Sequence, residues 1–210
     1  MNKLLVFDLD GTLINSSKDI AIAINYMREK FGHSPLDLDT VVSYIGDGAA
    51  KLVERAIAGL DIEFEDAKKI YLGYYEEHFC VETTLYPDVI SSLKKLKSLG
   101  YKLAVLTNKP FSTTQQIATK LSFAEYFDEI WGDGSGFPLK PNPASISALI
   151  EKFNADKKYS YMIGDHHTDI KTGINVGVDT IFVTHGLGNT GDVEPTHIVN
   201  NFNEILEILL

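Results

Sequence analysis

Cysteine is almost missing from this chain: Cys80 stands alone among 210 residues. That excludes an internal disulfide and any cysteine-rich zinc site, and the plain expectation for one isolated thiol is a small buried residue rather than a nucleophile. Long hydrophobic runs are missing too. No stretch approaches the roughly 20 apolar residues that span a bilayer. Lys3 is followed by only four apolar residues before Asp8 interrupts them, too few for a secretory signal. A cytoplasmic protein with no membrane partner is the expectation. Positive charge is scarce: 29 acids face 19 bases, for a net charge of −10. Such a balance disfavours a nucleic-acid backbone as partner. The ten tyrosines and eleven phenylalanines form no alternation with basic residues of the kind that stacks on bases. Internal repeats and low-complexity segments are also lacking. A small anion in a locally basic cleft is not excluded, nor is a cation that gathers some of the acids around itself.

What is present is an alternation of short apolar runs with helical patterns. KLLVFDL (3–9), YKLAVLTN (101–108), FDEIWG (127–132), YSYMIGD (159–165) and DTIFVTH (179–185) read as strands, with HIVN (197–200) as a short edge strand. Helical spacing occupies 88–99, 112–121 and 143–153, and Gly100 supplies a stop for the first of these. Continuous apolar strands alternating with helices predict an α/β chain with a doubly wound parallel sheet covered on both faces. The stretch from Ser16 to Glu82 has no strand-like run and reads as helices at 17–31, 47–59 and 64–79. It is expected to form an inserted helical cap domain (16–82) on a core of 1–15 and 83–210. The polar, turn-prone NSS (15–17) and VETTLYP (81–87) would be its hinges.

Ligands of an open parallel sheet sit beyond the carboxyl ends of the strands. The first strand delivers Asp8, Asp10, Gly11 and Thr12; the second delivers Thr107, Asn108 and Lys109. Lys140 follows the third, and Asp165 with Asp169 follows the fourth. Side chains two apart on extended backbone share a face, so Asp8 and Asp10 point into one site while Leu9 turns away. Acids clustered in this way call for a hard cation with oxygen ligands, Mg²⁺. A phosphate ester makes use of every member. One carboxylate attacks phosphorus, a second carries protons, and a hydroxyl and a lysine meet the negative charge. Gly11 would let the backbone turn its amides toward phosphate oxygens.

FDLDGTL, LTN, KP and GDHHTD resemble, in order, the four signature motifs of the haloacid dehalogenase-like superfamily. YIGDGAAKLVERAI (44–57) and YPDVISSLKKLKSLGYKLAVLTNKP (86–110) are similar to its phosphoglycolate phosphatase branch. The resemblance implies a Rossmann-like core with a helical cap. It further implies Asp8 as nucleophile, Asp10 as general acid and base, Thr107 and Asn108 at the phosphoryl group, and Lys140 bridging nucleophile and phosphate. Mg²⁺ would be held by Asp8, the Asp10 carbonyl and Asp165, with Asp169 in or behind that set. The cap loop Gly46, Asp47 and Gly48 would read the organic part of the substrate. His166 and His167 depart from the expected pattern of small or basic residues; the bland reading is two partly exposed loop imidazoles, the sharper one a substrate or second-metal role.

The expected activity is hydrolysis of a small phosphorylated metabolite, with 2-phosphoglycolate as first candidate, by a monomer or homodimer. A sugar-phosphate mutase uses the same two aspartates and stands as the alternative. A phospho-acceptor or binding module would need neither a cap nor an acid at position 10.

Overall fold

The computed structural model describes residues 2–209; Met1 and Leu210, the outer ends of the expected core, lie outside them. The elements follow in order: β1 Asn2–Phe7, β2 Ile14–Asn15, α1 Ser17–Lys30, α2 Leu38–Val42, α3 Ala49–Ala56, α4 Phe64–His78 and β3 Thr84–Leu85. Then come α5 Val89–Ser98, β4 Lys102–Pro110, α6 Phe111–Lys120, β5 Glu129–Asp133, α7 Ala144–Phe153 and β6 Ala155–Gly164. The chain closes with α8 His167–Val176, β7 Asp179–Val183, β8 His197–Val199 and α9 Phe202–Leu209.

Six strands form a parallel sheet in the order β5-β4-β1-β6-β7-β8. The alternation within β1 explains why both faces are covered. Leu5 and Phe7 enter one cluster with Leu93, Leu96, Ile117 and Phe202, from α5, α6 and α9. Leu4 and Val6 enter the opposite cluster with Ile146 and Leu149 from α7. Burying one such side chain contributes about 1.5–3 kcal/mol, so a one-residue slip of β1 would exchange the two faces and be strongly disfavoured. β1 is central, flanked by β4 and β6, and the connections diverge there. The crevice at its carboxyl end is where an open α/β sheet takes a ligand.

The helices α1 to α4 bury a third cluster of their own, built from Ile24, Met27, Val41, Val53, Ala67 and Tyr71 among others. Two chain crossings join this layer to the sheet, and they pair as a small antiparallel ribbon, Ile14 against Leu85 and Asn15 against Thr84. The ribbon is too short for the hydrophobic pattern to announce.

Several boundaries differ from the sequence expectation. β6 starts at Ala155, four residues early, because Ala155 to Lys158 join it, and its exposed Lys157 and Lys158 leave no apolar signal. α3 begins at Ala49 rather than 47, since Gly46 and Gly48 hold φ of +119° and +91°. The extra helix α2 is capped by Asp37, whose carboxylate accepts from Thr40 N at 2.8 Å. Cys80 is buried at the edge of the sheet's core, as a lone thiol was expected to be. Among the described residues no helix is long and apolar enough to cross a membrane.

Candidate active site

Asp8 leaves β1 at its carboxyl end, beside the ends of β4 and β6, and its neighbours there are mostly charged. Lys140 Nζ lies 2.7 Å from Asp8 Oδ1 and 2.6 Å from Asp169 Oδ1. Asp169 Oδ2 accepts from His166 N at 3.0 Å. Asp165 Oδ1 accepts from Thr12 Oγ1 at 2.8 Å, and its Oδ2 accepts from Leu187 N and Gly188 N at 2.8 and 3.0 Å. Carboxylate oxygens of Asp8, Asp165 and Asp169 all lie within 4.8 Å of one another, and all three residues are buried.

Burial sets the acidities. It pushes the Asp8 carboxyl up to about 6, helped by the charge of Asp169 and opposed by Lys140. Asp165 is pushed up to about 8, again by burial first and then by Asp8 and Asp169. Burial pulls Lys140 down, but the carboxylates of Asp169 and Asp8 outweigh it and hold the ammonium charged. One lysine against three buried acids leaves two formal negative charges without a counterpart. Asp8 Oδ1 is buried, and its close polar neighbour is the Lys140 ammonium that it shares with Asp169. An all-oxygen donor set with this deficit fits a hard dication.

Asp10 is placed differently from Asp8. Its carboxylate accepts from Ser16 Oγ at 2.5 Å and from Lys109 Nζ at 3.0 and 3.1 Å. Ser16 precedes α1 but does not cap it, because its hydroxyl is committed to Asp10. Asn108 ties three pieces together: Nδ2 donates to Gly46 O and Lys140 O, both at 3.1 Å, and Oδ1 accepts from Lys140 N at 2.8 Å. Thr107 Oγ1 accepts from Lys109 N at 3.2 Å.

These residues open onto a small cleft between the sheet and the helical layer. Asp8, Asp10, Thr107, Asn108, Lys109, Gly46 and Gly48 line it. Asp47 does not; its carboxylate turns to Arg55, 2.5 Å away, and toward His167. Thr12 supports Asp165 instead of facing the cleft. Gly11 also has another task than the one expected. Its N–H bonds Ile14 O at 2.8 Å, and the Thr12 N–H bonds Leu9 O, so neither amide is free for phosphate. What Gly11 supplies is room, because a Cβ there would stand 2.0 Å from Asp165 Oδ2, at a φ of +83°.

The cap side of the cleft carries residues that the motif reading did not single out: Ile20, Leu52, Tyr71, Leu72 and Tyr75. Tyr71 and Tyr75 are stacked 5.7 Å apart, and Lys109 Nζ sits 4.7 Å over the Tyr75 ring. The Tyr75 hydroxyl is buried without a partner, and burial raises both phenols. Their i, i+4 spacing on α4 was the available signal, but it marks only a shared helix face.

The family model for the haloacid dehalogenase-like hydrolases matches residues 5–183. A phosphoglycolate phosphatase of Psychrobacter arcticus is 34% identical over 220 residues, covering 99% of this chain and 96% of its own. One from Neisseria meningitidis is 36% identical, covering 98% and 92%. Among solved structures, a protein of Haemophilus somnus described as a predicted phosphoglycolate phosphatase superposes with a TM-score of 0.94 at 33% identity. It covers all of this chain and 98% of its own.

Proposed function

Because this chain belongs to the haloacid dehalogenase-like hydrolase family, we propose that it is a Mg²⁺-dependent phosphatase that hydrolyses a small phosphomonoester through an aspartyl-phosphate on Asp8. The observation that carries this reading is the buried Asp8–Lys140–Asp169 chain beside Asp165, opening onto a cleft whose far wall is the helical layer. The names of the relatives make 2-phosphoglycolate the first substrate to try.

The two aspartates at the end of β1 divide the work. Asp8, whose Oδ1 is held 2.7 Å from the Lys140 ammonium, attacks phosphorus in line while the ester oxygen leaves. Asp10 is oriented by Ser16 and Lys109 toward the same cleft. It gives its proton to the departing alkoxide and then takes one from the water that attacks phosphorus and frees Asp8. Lys140 stays charged and faces the nucleophile, where negative charge accumulates. Thr107 offers a hydroxyl at the mouth of the cleft. Asp8, Asp165, Asp169 and the Asp10 carbonyl would hold Mg²⁺, which supplies charge neutralisation for the acids and the phosphate together.

The segment 16–82 acts in this reading as a cap on the core 1–15 and 83–210. It closes to exclude water and opens to release product. Asn108 joins the two, reaching from β4 to Gly46 O.

Purified protein supplied with Mg²⁺ should release phosphate from 2-phosphoglycolate and from p-nitrophenyl phosphate. EDTA should abolish the activity and added Mg²⁺ restore it. If no phosphomonoester in a metabolite panel is turned over with Mg²⁺ present, the reading fails.

A further inference from the structure

A second group of potential ligands lies at the junction between the helical layer and the sheet, outside the acidic cluster. Asp47 sits in the loop between α2 and α3, while His166 and His167 leave the end of β6 and open α8. One ligand atom from each lies within 4.8 Å of the others. None of the three is used by the phosphatase reading above.

The chemistry of the group differs from that of its neighbour. Two imidazoles with one carboxylate suit zinc, cobalt or nickel, whereas Asp8, Asp165 and Asp169 offer oxygen alone. The local geometry leaves one atom free on each member. His166 Nδ1 is 2.9 Å from Thr168 Oγ1. In this structure Nδ1 accepts from Thr168 N at 3.4 Å and so caps α8. A metal on Nε2 moves the ring proton to Nδ1, where Thr168 Oγ1 takes it, the arrangement by which an outer partner orients a metal-bound imidazole. The ring is fixed by two close backbones: a Cβ on Gly46 would be 2.6 Å from Nε2, and one on Gly188 would be 2.7 Å from Cδ2. Asp47 gives Oδ2 to Arg55 and turns Oδ1 toward His167 Nε2 at 3.8 Å. That separation is too long for a hydrogen bond. It is close to the spacing of two ligands that share a tetrahedral ion, about 3.4 Å for bonds of about 2.0–2.1 Å. The two imidazole centroids lie 4.0 Å apart, with the rings tilted by 45°.

We propose that Asp47, His166 and His167 form a binding site for a zinc-class transition-metal dication that fastens the α2–α3 loop to the sheet. Its fourth position is left to solvent. Because one ligand comes from the helical layer and two from the sheet, an ion held here restrains the layer against the mouth of the cleft. The site stands on its own residues, so it survives failure of the phosphatase reading.

The test is a zinc titration of the full chain in millimolar Mg²⁺, which keeps the acidic cluster supplied, followed by the same titration with Co²⁺ in the visible range. The wild type should take up one zinc per chain, and Co²⁺ should give the strong visible bands of a four-coordinate nitrogen and oxygen site. His167→Ala and Asp47→Ala should each weaken zinc binding by at least about tenfold, since losing even an outer partner of a ligand costs about 10–100-fold. Asp165→Asn should leave zinc binding in place. His167 is partly exposed at the start of α8, so its variant folds, and a thermal unfolding scan verifies this. The proposal is overturned if the wild type takes up no zinc in Mg²⁺. It is equally overturned if His167→Ala binds as the wild type does, or if Asp165→Asn abolishes binding and thereby places the ion in the acidic cluster.

Discussion

At the scale of single residues, the decisive fact is that three carboxylates share one buried site with a single lysine. Replacing Asp8 with Asn should take phosphate release below detection while leaving the fold intact, because the amide is isosteric but a poor nucleophile. Asp10→Asn should lower turnover by about 10²–10⁴-fold, the usual contribution of a positioned acid and base. Phosphoprotein should still form in that variant, and full turnover in either would remove the assigned role. The same burial predicts a pH dependence. Asp8 and Asp165 rise from 3.8 to about 6 and about 8 in the fold, so the folded state binds more protons than the unfolded chain through that window. Stability of the metal-free protein is therefore highest below about pH 4 as far as these groups are concerned, and falls as pH rises toward 8. A dication held by these carboxylates would replace those protons. The Tm in EDTA should drop between pH 5 and 8, and millimolar Mg²⁺ should reverse most of the drop; a Tm in EDTA that rises across this range would contradict the cluster's electrostatics.

Among the elements, one side chain adds to the β2–β3 ribbon in tying the two crossings between sheet and helical layer. Asp19, buried in the first turn of α1, accepts from Val81 N at 3.0 Å, from Glu82 N at 3.0 and 3.1 Å, and from Thr83 N at 2.9 Å. It also accepts from Thr83 Oγ1, at 2.6 Å. A carboxylate taking several donors from the opposite crossing fixes where the layer emerges relative to the ribbon of β2 and β3. Hydrogen bonds to a charged acceptor contribute about 1.5–3 kcal/mol each, but they share one group and are not additive. Asp19→Ala should lower unfolding stability by about 3 kcal/mol, read as a lower urea midpoint. It should also raise KM, since the layer carrying Gly46 and Gly48 loses its anchor. An unchanged midpoint would show that the clamp contributes little.

For the whole molecule, the helical layer has a core of its own and two narrow connections to the sheet, and the proposed cap role requires that it move against the sheet. One hydrogen bond between it and the sheet side of the cleft runs from Asn108 Nδ2 to Gly46 O. Ligand in the cleft should therefore draw the layer down. Hydrogen exchange of the Ile45–Ala49 loop should slow when Mg²⁺ and inorganic phosphate are added together, and less with Mg²⁺ alone. Exchange that is indifferent to phosphate would mean that the layer does not respond to the cleft's occupant.

The sequence by itself determined the parallel α/β order and the edge of the sheet where chemistry gathers. The cause is local: the alternation in β1 commits Leu5 and Phe7 to one face and Leu4 and Val6 to the other, and strand ends place Asp8, Thr107 and Asp165 by chain connectivity alone. Six of the expected runs appear as sheet strands, with ends shifted where exposed lysines extend a strand invisibly or where glycines delay a helix. Only tertiary structure decided what each side chain does there. Gly11 makes room for Asp165 instead of offering its amide, Thr12 supports Asp165, and Asp47 leaves the cleft for Arg55 and His167. It also decided that Tyr71 and Tyr75 face the site and that Asp19 clasps a crossing 62 residues away. Such partnerships join segments far apart in the chain, and their free energy depends on burial and distance, which no local pattern of residues encodes.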